Sequence, residues 1–277
     1  MSPRRRWLQS AVCATGLVWG ISGCGDDNDV TGPPSFNPVP VVTHDQLKAA
    51  LLQAVGVSAD AVPDGNAGLN LNMWATVVDT AGVVVAVVYS GTGEGDQWQG
   101  SRIISAQKAN TANSLSLTNL ALSTANLYSA VQPGGSLFGL QESNPVNTDA
   151  AYGGNADDYG TVNDFMIGKR IGGVNVFGGG LALYDATGAI IGAVGVSGDT
   201  SCADHSIAWK TRHALSLDYV PGGVDPLAGH DNIVFDIDAN GVSPSGWGHP
   251  LCPVVPADVK AEGEALPTTD PVRTVVP

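Results

Sequence analysis

The sequence predicts an α/β protein of the α+β type: an antiparallel sheet built from two β-hairpins, helices packed on the sheet, and a C-terminal arm held by a disulfide. Three observations predict it. Leu181 to Tyr184 and Ala189 to Val196 are apolar runs of strand length, joined by the turn residues Asp185-Ala186-Thr187-Gly188. The same phrase occurs earlier, where Val78-Asp79-Thr80-Ala81-Gly82 and the run Val83 to Val88 repeat its order. Each hairpin precedes a glycine-rich loop and a helical pattern, and the nearly continuous apolar runs require cover on both faces of the sheet.

Residues 1–23 read as a lipoprotein signal peptide. Arg4-Arg5-Arg6 is a positive leader and Trp7 to Ile21 an apolar run too short for an ordinary transmembrane helix. Ile21-Ser22-Gly23-Cys24 resembles a lipobox, which predicts cleavage before Cys24, lipidation of that cysteine and anchorage to a bacterial membrane facing the periplasm or exterior. A soluble secreted protein cut nearby is the alternative. Asp26 and Asp27, just after the cysteine, leave the destination membrane open. Residues 24–42 are a flexible, proline-containing tether.

The folded domain is expected over residues 43–217. Leu47, Leu51, Leu52 and Val55 fall at helical spacing, with Thr43 as cap. Asn72 to Asp79 enters the first hairpin. Ser90 to Gly100 is a glycine-rich loop without the spacing of a phosphate or dinucleotide loop. A long helical stretch with a break is expected from Ser101 to Val131. Pro133 to Gly160 reads as loop, Thr161 to Ile171 as a short helix, and Cys202 to Leu217 as the closing helix. Residues 218–277 form an arm wrapped on the domain and ending in a loose tail, with one strand expected at Ile233 to Ile237.

Net charge is −14 over 277 residues, and −17 without residues 1–23, which hold three arginines and no acid. Such a surface repels a phosphate backbone, so nucleic acid is excluded as a partner. Of four cysteines, Cys13 lies in the signal and Cys24 carries lipid. Cys202 and Cys252 remain as a pair in an oxidising compartment, which predicts a disulfide pinning the arm to the start of the last helix.

Several of these residues form a known pattern. Val77-Val78-Asp79 with Gly82, then Ser105, Lys108-Ala109 and Thr111-Ala112, then Gly188 and Gly192-Ala193-Val194-Gly195-Val196-Ser197-Gly198, resemble the GlcG/HbpS family of heme-binding proteins over about residues 45–217. Asp204 stands where that family carries an acidic residue opening its last helix. The resemblance implies a compact α/β domain, homo-oligomeric assembly, and binding of heme or another tetrapyrrole in sensing, sequestration or degradation. It implies a binding role for Lys108, Thr111 and Asp204. The chain departs from the pattern in a long insertion around 133–165, in the appended arm, and in Cys202-Ala203-Asp204-His205.

His205 is the candidate axial ligand, because neutral imidazole binds heme iron and this residue follows the glycine-rich exit; a histidine hydrogen-bonded at a helix start is the alternative. Lys108 interrupts an apolar helix face, from which it either snorkels to solvent or reaches a bound anion. His213 lies too far round the same helix to share an iron with His205. His44, His230 and His249 carry no spacing signal, Met166 is a weak candidate ligand, and no covalent heme motif is present. Asp236-Ile237-Asp238-Ala239-Asn240-Gly241 begins like a calcium loop, but Trp247 replaces the bidentate glutamate, so an Asx-rich turn is expected rather than calcium. No catalytic constellation is recognisable. The alternative to a heme-binding lipoprotein is a cofactor-free scaffold or interaction lipoprotein with the same fold.

Overall fold

Two hairpins meet edge to edge. In the computed structural model, which describes residues 41–56, 66–226 and 229–252 with isolated positions 260, 263, 266 and 267, β1 (Trp74–Asp79) pairs with β2 (Val84–Tyr89), and β3 (Gly180–Tyr184) with β4 (Ile190–Ser197). β1 also pairs antiparallel with β4, giving the order β2-β1-β4-β3. The repeat seen in the sequence extends to atoms. Asp79 Oδ1 accepts the amides of Ala81 and Val83 at 2.8 and 2.9 Å, and Asp185 Oδ1 those of Thr187 and Ala189 at 2.8 and 3.1 Å. Gly82 and Gly188 close the two turns at φ +75° and +78°, a region that disfavours a Cβ. Each hairpin also shifts register just before its turn, between Val77 and Val78 and between Leu183 and Tyr184.

Side chains alternate across the sheet as strand geometry requires. Ala75, Val77, Leu181, Leu183, Val194 and Val196 pack beneath α1 (His44–Val55) and α4 (Ser201–Ala214) with Leu47, Leu51 and Trp209. Trp74, Val78 and Ala193 turn to the other face, where Ala106, Ala109 and Ala112 of α2 (Ser101–Leu115) cover them. That second contact is unusually close: a Cβ on Gly195 would sit 1.9 Å from the Ser105 carbonyl oxygen. Small residues on both elements let the helix backbone rest on β4. Thr43 starts α1 with a reciprocal capping box to Gln46, and Gly56 ends it in the left-handed conformation.

Five expectations about elements are corrected. The helical stretch from Ser101 stops at Leu115. Beyond it, the Ser116 hydroxyl accepts the Leu122 amide and Asn126 accepts the Ser123 amide and hydroxyl, so short polar side chains outcompete a helical ladder and leave two 3-10 turns. Residues 161–171 are turns, because the Asp164 carboxylate gathers the amides of Gly160 and Met166 around Arg102. A short helix, α3 (Thr148–Tyr152), appears instead inside the segment read as loop, capped by Asn147. Ile233 to Ile237 is not a strand: Asn232 accepts the Ile233 amide, and Asp236 organises a turn through Ser243 and Ser245. The closing helix ends at Ala214 rather than Leu217.

The arm is bound over its described length. Cys202 and Cys252 form the disulfide, and Arg212 in α4 meets Asp231 through two hydrogen bonds of 2.7 and 2.9 Å with both side chains buried. Ser129 donates to the Gly248 carbonyl and Trp209 to that of Pro267. The expected signal peptide, Cys24 and nearly all of the tether lie outside the described residues, as does most of the chain beyond 252. Among the described residues no helix is long and apolar enough to cross a membrane.

Candidate functional site

Lys108 and Asp204, two of the residues singled out by sequence, meet where α2, the end of β4 and the first turn of α4 come together. Gly178, Gly179 and Gly180 make this meeting possible: a Cβ on Gly179 would lie 2.3 Å from the Val196 oxygen and 3.0 Å from Lys108 Nζ. Lys108 neither snorkels to solvent nor points into an open pocket. Its side chain is fully buried, Nζ donates to Asp204 Oδ2 at 2.5 Å and to the Val196 carbonyl at 3.0 Å, and it lies 4.3 Å from the centre of the Phe177 ring. Asp204 Oδ1 accepts the amides of Gly198 and Asp199 at 3.0 and 2.8 Å. Burial pushes the Asp204 carboxyl up to about 6, against the pull of Lys108, and pushes the Lys108 ammonium down. Thr111 stands a turn further along α2, donating to the Gln107 carbonyl and accepting the Asn175 amide at 3.0 Å.

His205 is adjacent to Asp204 in sequence but turns into the layer covered by the arm. It is fully buried, and its Nε2 lies 3.2 Å from the Asn232 side-chain oxygen. Since that oxygen only accepts, Nε2 carries the proton, and the unprotonated Nδ1 has no hydrogen-bond partner among the described residues. Burial lowers the imidazole to about 3, so it is neutral. A neutral imidazole with a free nitrogen has the chemistry of an iron ligand, but the arm seals it. Lys108, Asp204 and Thr111 likewise spend their polar groups on the protein. With the arm in this position the four residues do not fit a tetrapyrrole.

The remaining candidates are dispersed. Met166 is buried in the apolar layer beneath α2. His213 Nδ1 contacts Asp218 at 2.8 Å, His44 Nε2 contacts the Gly160 carbonyl at 3.0 Å, and His230 stands edge-on to Trp209. Asp238 accepts the amides of Asn240 and Val242 in an Asx turn. Among the described residues no group of three or more metal-ligating side chains converges.

Three buried polar pairs escaped sequence reading. Arg102 holds Asp164 through Nε and a terminal nitrogen, at 2.9 and 2.5 Å, while stacking on Tyr159. Arg212 holds Asp231. The Ser201 hydroxyl lies 2.7 Å from Nε2 of His249, whose Nδ1 donates to the Pro250 carbonyl at 2.7 Å. Burial lowers His249 to about 4. Their partners are 62, 19 and 48 positions apart, with no motif to link them.

No curated protein matches the chain. Solved structures similar to it include these two. Klebsiella pneumoniae protein ORFY shares 27% identity over 62% of this chain and 86% of its own, with a TM-score of 0.41. A PduOC–heme complex shares 23% identity over 61% of this chain and 89% of its own, also with a TM-score of 0.41. A family model described as haem degrading protein HbpS-like matches residues 47–212. Those residues run from α1 through both hairpins and α2 into the last turn of α4, more than half of the sequence, and the chain belongs to the HbpS-like family.

Proposed function

We propose that this protein binds heme or a related tetrapyrrole as an exported protein, lipid-anchored through Cys24. The family match across residues 47–212 carries this reading, and the free Nδ1 of a neutral His205 supports it. Sensing, sequestration and degradation of heme all begin with that binding step. The domain at 43–217 supplies the binding layer and the arm from 218 onward covers it, so binding requires displacement of the arm. Homo-oligomeric assembly is part of the same reading.

A second reading is favoured by one observation, the closure of the Lys108–Asp204 pair beside a sealed His205. On it, the chain is a cofactor-free scaffold or interaction lipoprotein that keeps the fold and uses these polar groups for stability alone.

Hemin titration separates the two. The mature chain and a Cys202→Ser/Cys252→Ser variant, both verified as folded, are titrated and followed by absorbance. Saturable binding with a shifted Soret band, stronger in the variant and weakened by His205→Ala, is the expected outcome. Binding that ignores His205→Ala keeps the function and removes that ligand. Absence of saturable binding in both proteins establishes the scaffold reading. Incorporation of an alkynyl fatty acid into cells expressing the full chain, lost in Cys24→Ser, tests the anchor.

A further inference from the structure

Where the arm crosses the start of α4, a serine and a histidine share a hydrogen bond. Ser201 Oγ lies 2.7 Å from His249 Nε2, and His249 Nδ1 lies 2.7 Å from the Pro250 carbonyl oxygen. A carbonyl oxygen only accepts, so Nδ1 carries the proton and Nε2 is the bare nitrogen that accepts from the Ser201 hydroxyl. His249 is 2% exposed and burial keeps its imidazole neutral, whereas Ser201 is partly exposed. A hydroxyl bonded to a base that a third group orients is the arrangement of an activated nucleophile.

Two features complete it. Of the four amides that open α4, Cys202 donates to Cys252 Sγ, Ala203 to the Thr200 hydroxyl and Asp204 to the Thr200 carbonyl. The Ser201 amide alone has no acceptor among the described residues. It stands at the positive end of the helix, beside the hydroxyl, where a donor can hold the oxyanion formed when that hydroxyl attacks a carbonyl. The pair is also held together covalently. Ser201 precedes Cys202 and His249 stands shortly before Cys252, so the disulfide ties the helix of the nucleophile to the arm that carries the base.

The surroundings narrow the substrate. The Tyr128 and Phe235 rings lie 5.2 and 6.5 Å from the His249 ring, and a chain of charge −14 repels an anion. The Gly178 amide donates to Ser201 Oγ at 2.7 Å, and a Cβ on Gly178 would lie 2.2 Å from the Ser201 carbonyl oxygen. Space beside the hydroxyl is therefore small, and the acyl group must be compact.

We propose that Ser201 and His249 form a catalytic dyad that hydrolyses uncharged esters of short-chain acids. Oγ bonds to the acyl carbon as its proton passes to His249 Nε2, and the Ser201 amide holds the oxyanion. The carbon–oxygen bond to the alcohol then breaks and the alcohol leaves with that proton. Water repeats the two steps on the acyl-serine, releasing the acid and restoring the hydroxyl. The dyad exists with the arm in place and does not rest on the tetrapyrrole reading.

The folded full chain, mixed with p-nitrophenyl acetate, quenched in acid and mapped by peptide mass, tests this. A burst of p-nitrophenol with an acetyl group on Ser201 is expected, followed by slower turnover. Ser201→Ala should remove the burst, and His249→Gln should slow acylation by roughly a hundredfold or more, with circular dichroism verifying both folds. A fluorophosphonate probe on the native protein needs no variant and should label Ser201, and should fail to do so after heat unfolding. A native Ser201 left unmodified by both reagents would overturn the proposal. So would a burst that survives Ser201→Ala, or acylation of folded His249→Gln at the native rate.

Discussion

Lys108 Nζ lies 2.5 Å from Asp204 Oδ2 and 3.0 Å from the Val196 carbonyl, so one buried cation joins α2, the end of β4 and the first turn of α4. The helices belong to opposite faces of the sheet, and the pair is a polar link between the two layers. Breaking such a pair from one side strands the partner's charge, which costs about 3–5 kcal/mol. Lys108→Met should therefore lower unfolding free energy by that amount in urea. Lys108→Met/Asp204→Asn should cost less than the sum of the single changes, because no unpaired charge remains. Strict additivity would show that the two groups are not coupled.

The disulfide supports the arm from a separation of 50 residues. On the chain-entropy account a loop of that size contributes ~4 kcal/mol. Cys202→Ser/Cys252→Ser should reduce stability by up to that figure, and amide exchange should rise first around Ile233 and His249, which pack close to the bridge. Retained protection there would mean that the arm's non-covalent contacts, Arg212–Asp231 and Ser201–His249 among them, hold it without the bridge.

Local chemistry was legible and distant pairing was not. Both Asp-x-x-Gly turns, the Thr43 cap and the cysteine pair were readable because each depends on residues a few positions apart or on a count of two. Lys108 was readable only as a break in an apolar face, since Asp204 lies 96 positions away and nothing local names it. Nothing local singles out Arg102, because its partner Asp164 lies 62 positions away and is set by the 160–166 turns. His205 invited a ligand role by its place beside the glycine-rich exit. Its burial is set by Asn232, in a segment whose path the sequence did not reveal.

Two glycines separate backbone conformation from packing. Gly188 has φ +78° and open space around its missing Cβ, so Gly188→Ala should cost about 1–2 kcal/mol from the left-handed conformation alone. Gly195 lacks a positive φ, but its Cβ would sit 1.9 Å from the Ser105 oxygen and 2.5 Å from the Ala109 nitrogen. Gly195→Ala must push α2 off β4, and should cost as much as or more than the about 1–3 kcal/mol of ordinary overpacking. Thermal unfolding of both variants checks the order, and a milder effect at 195 than at 188 would contradict it.

Acid should weaken the arm through its buried imidazoles. His205 and His249 are held neutral, at about 3 and about 4, chiefly by burial. The unfolded chain takes up protons near 6.5, so the stability these groups contribute is complete above that value and is lost as pH falls toward the folded values. Between pH 7 and pH 5 each loses about 2 kcal/mol. Asp204 works in the opposite direction: raised to about 6, it contributes stability at low pH that is lost as pH rises through that value. The net slope of the native protein is therefore a difference, and substitution isolates the histidine part. His205→Gln and His249→Gln should each flatten the fall in urea midpoint between pH 7 and pH 5 by the equivalent of about 2 kcal/mol. Because Asp204 is common to all three proteins, its contribution cancels in that comparison. Identical slopes in native protein and variants would mean that the imidazoles take up protons without loss of the fold, which requires that water reach them beneath the arm.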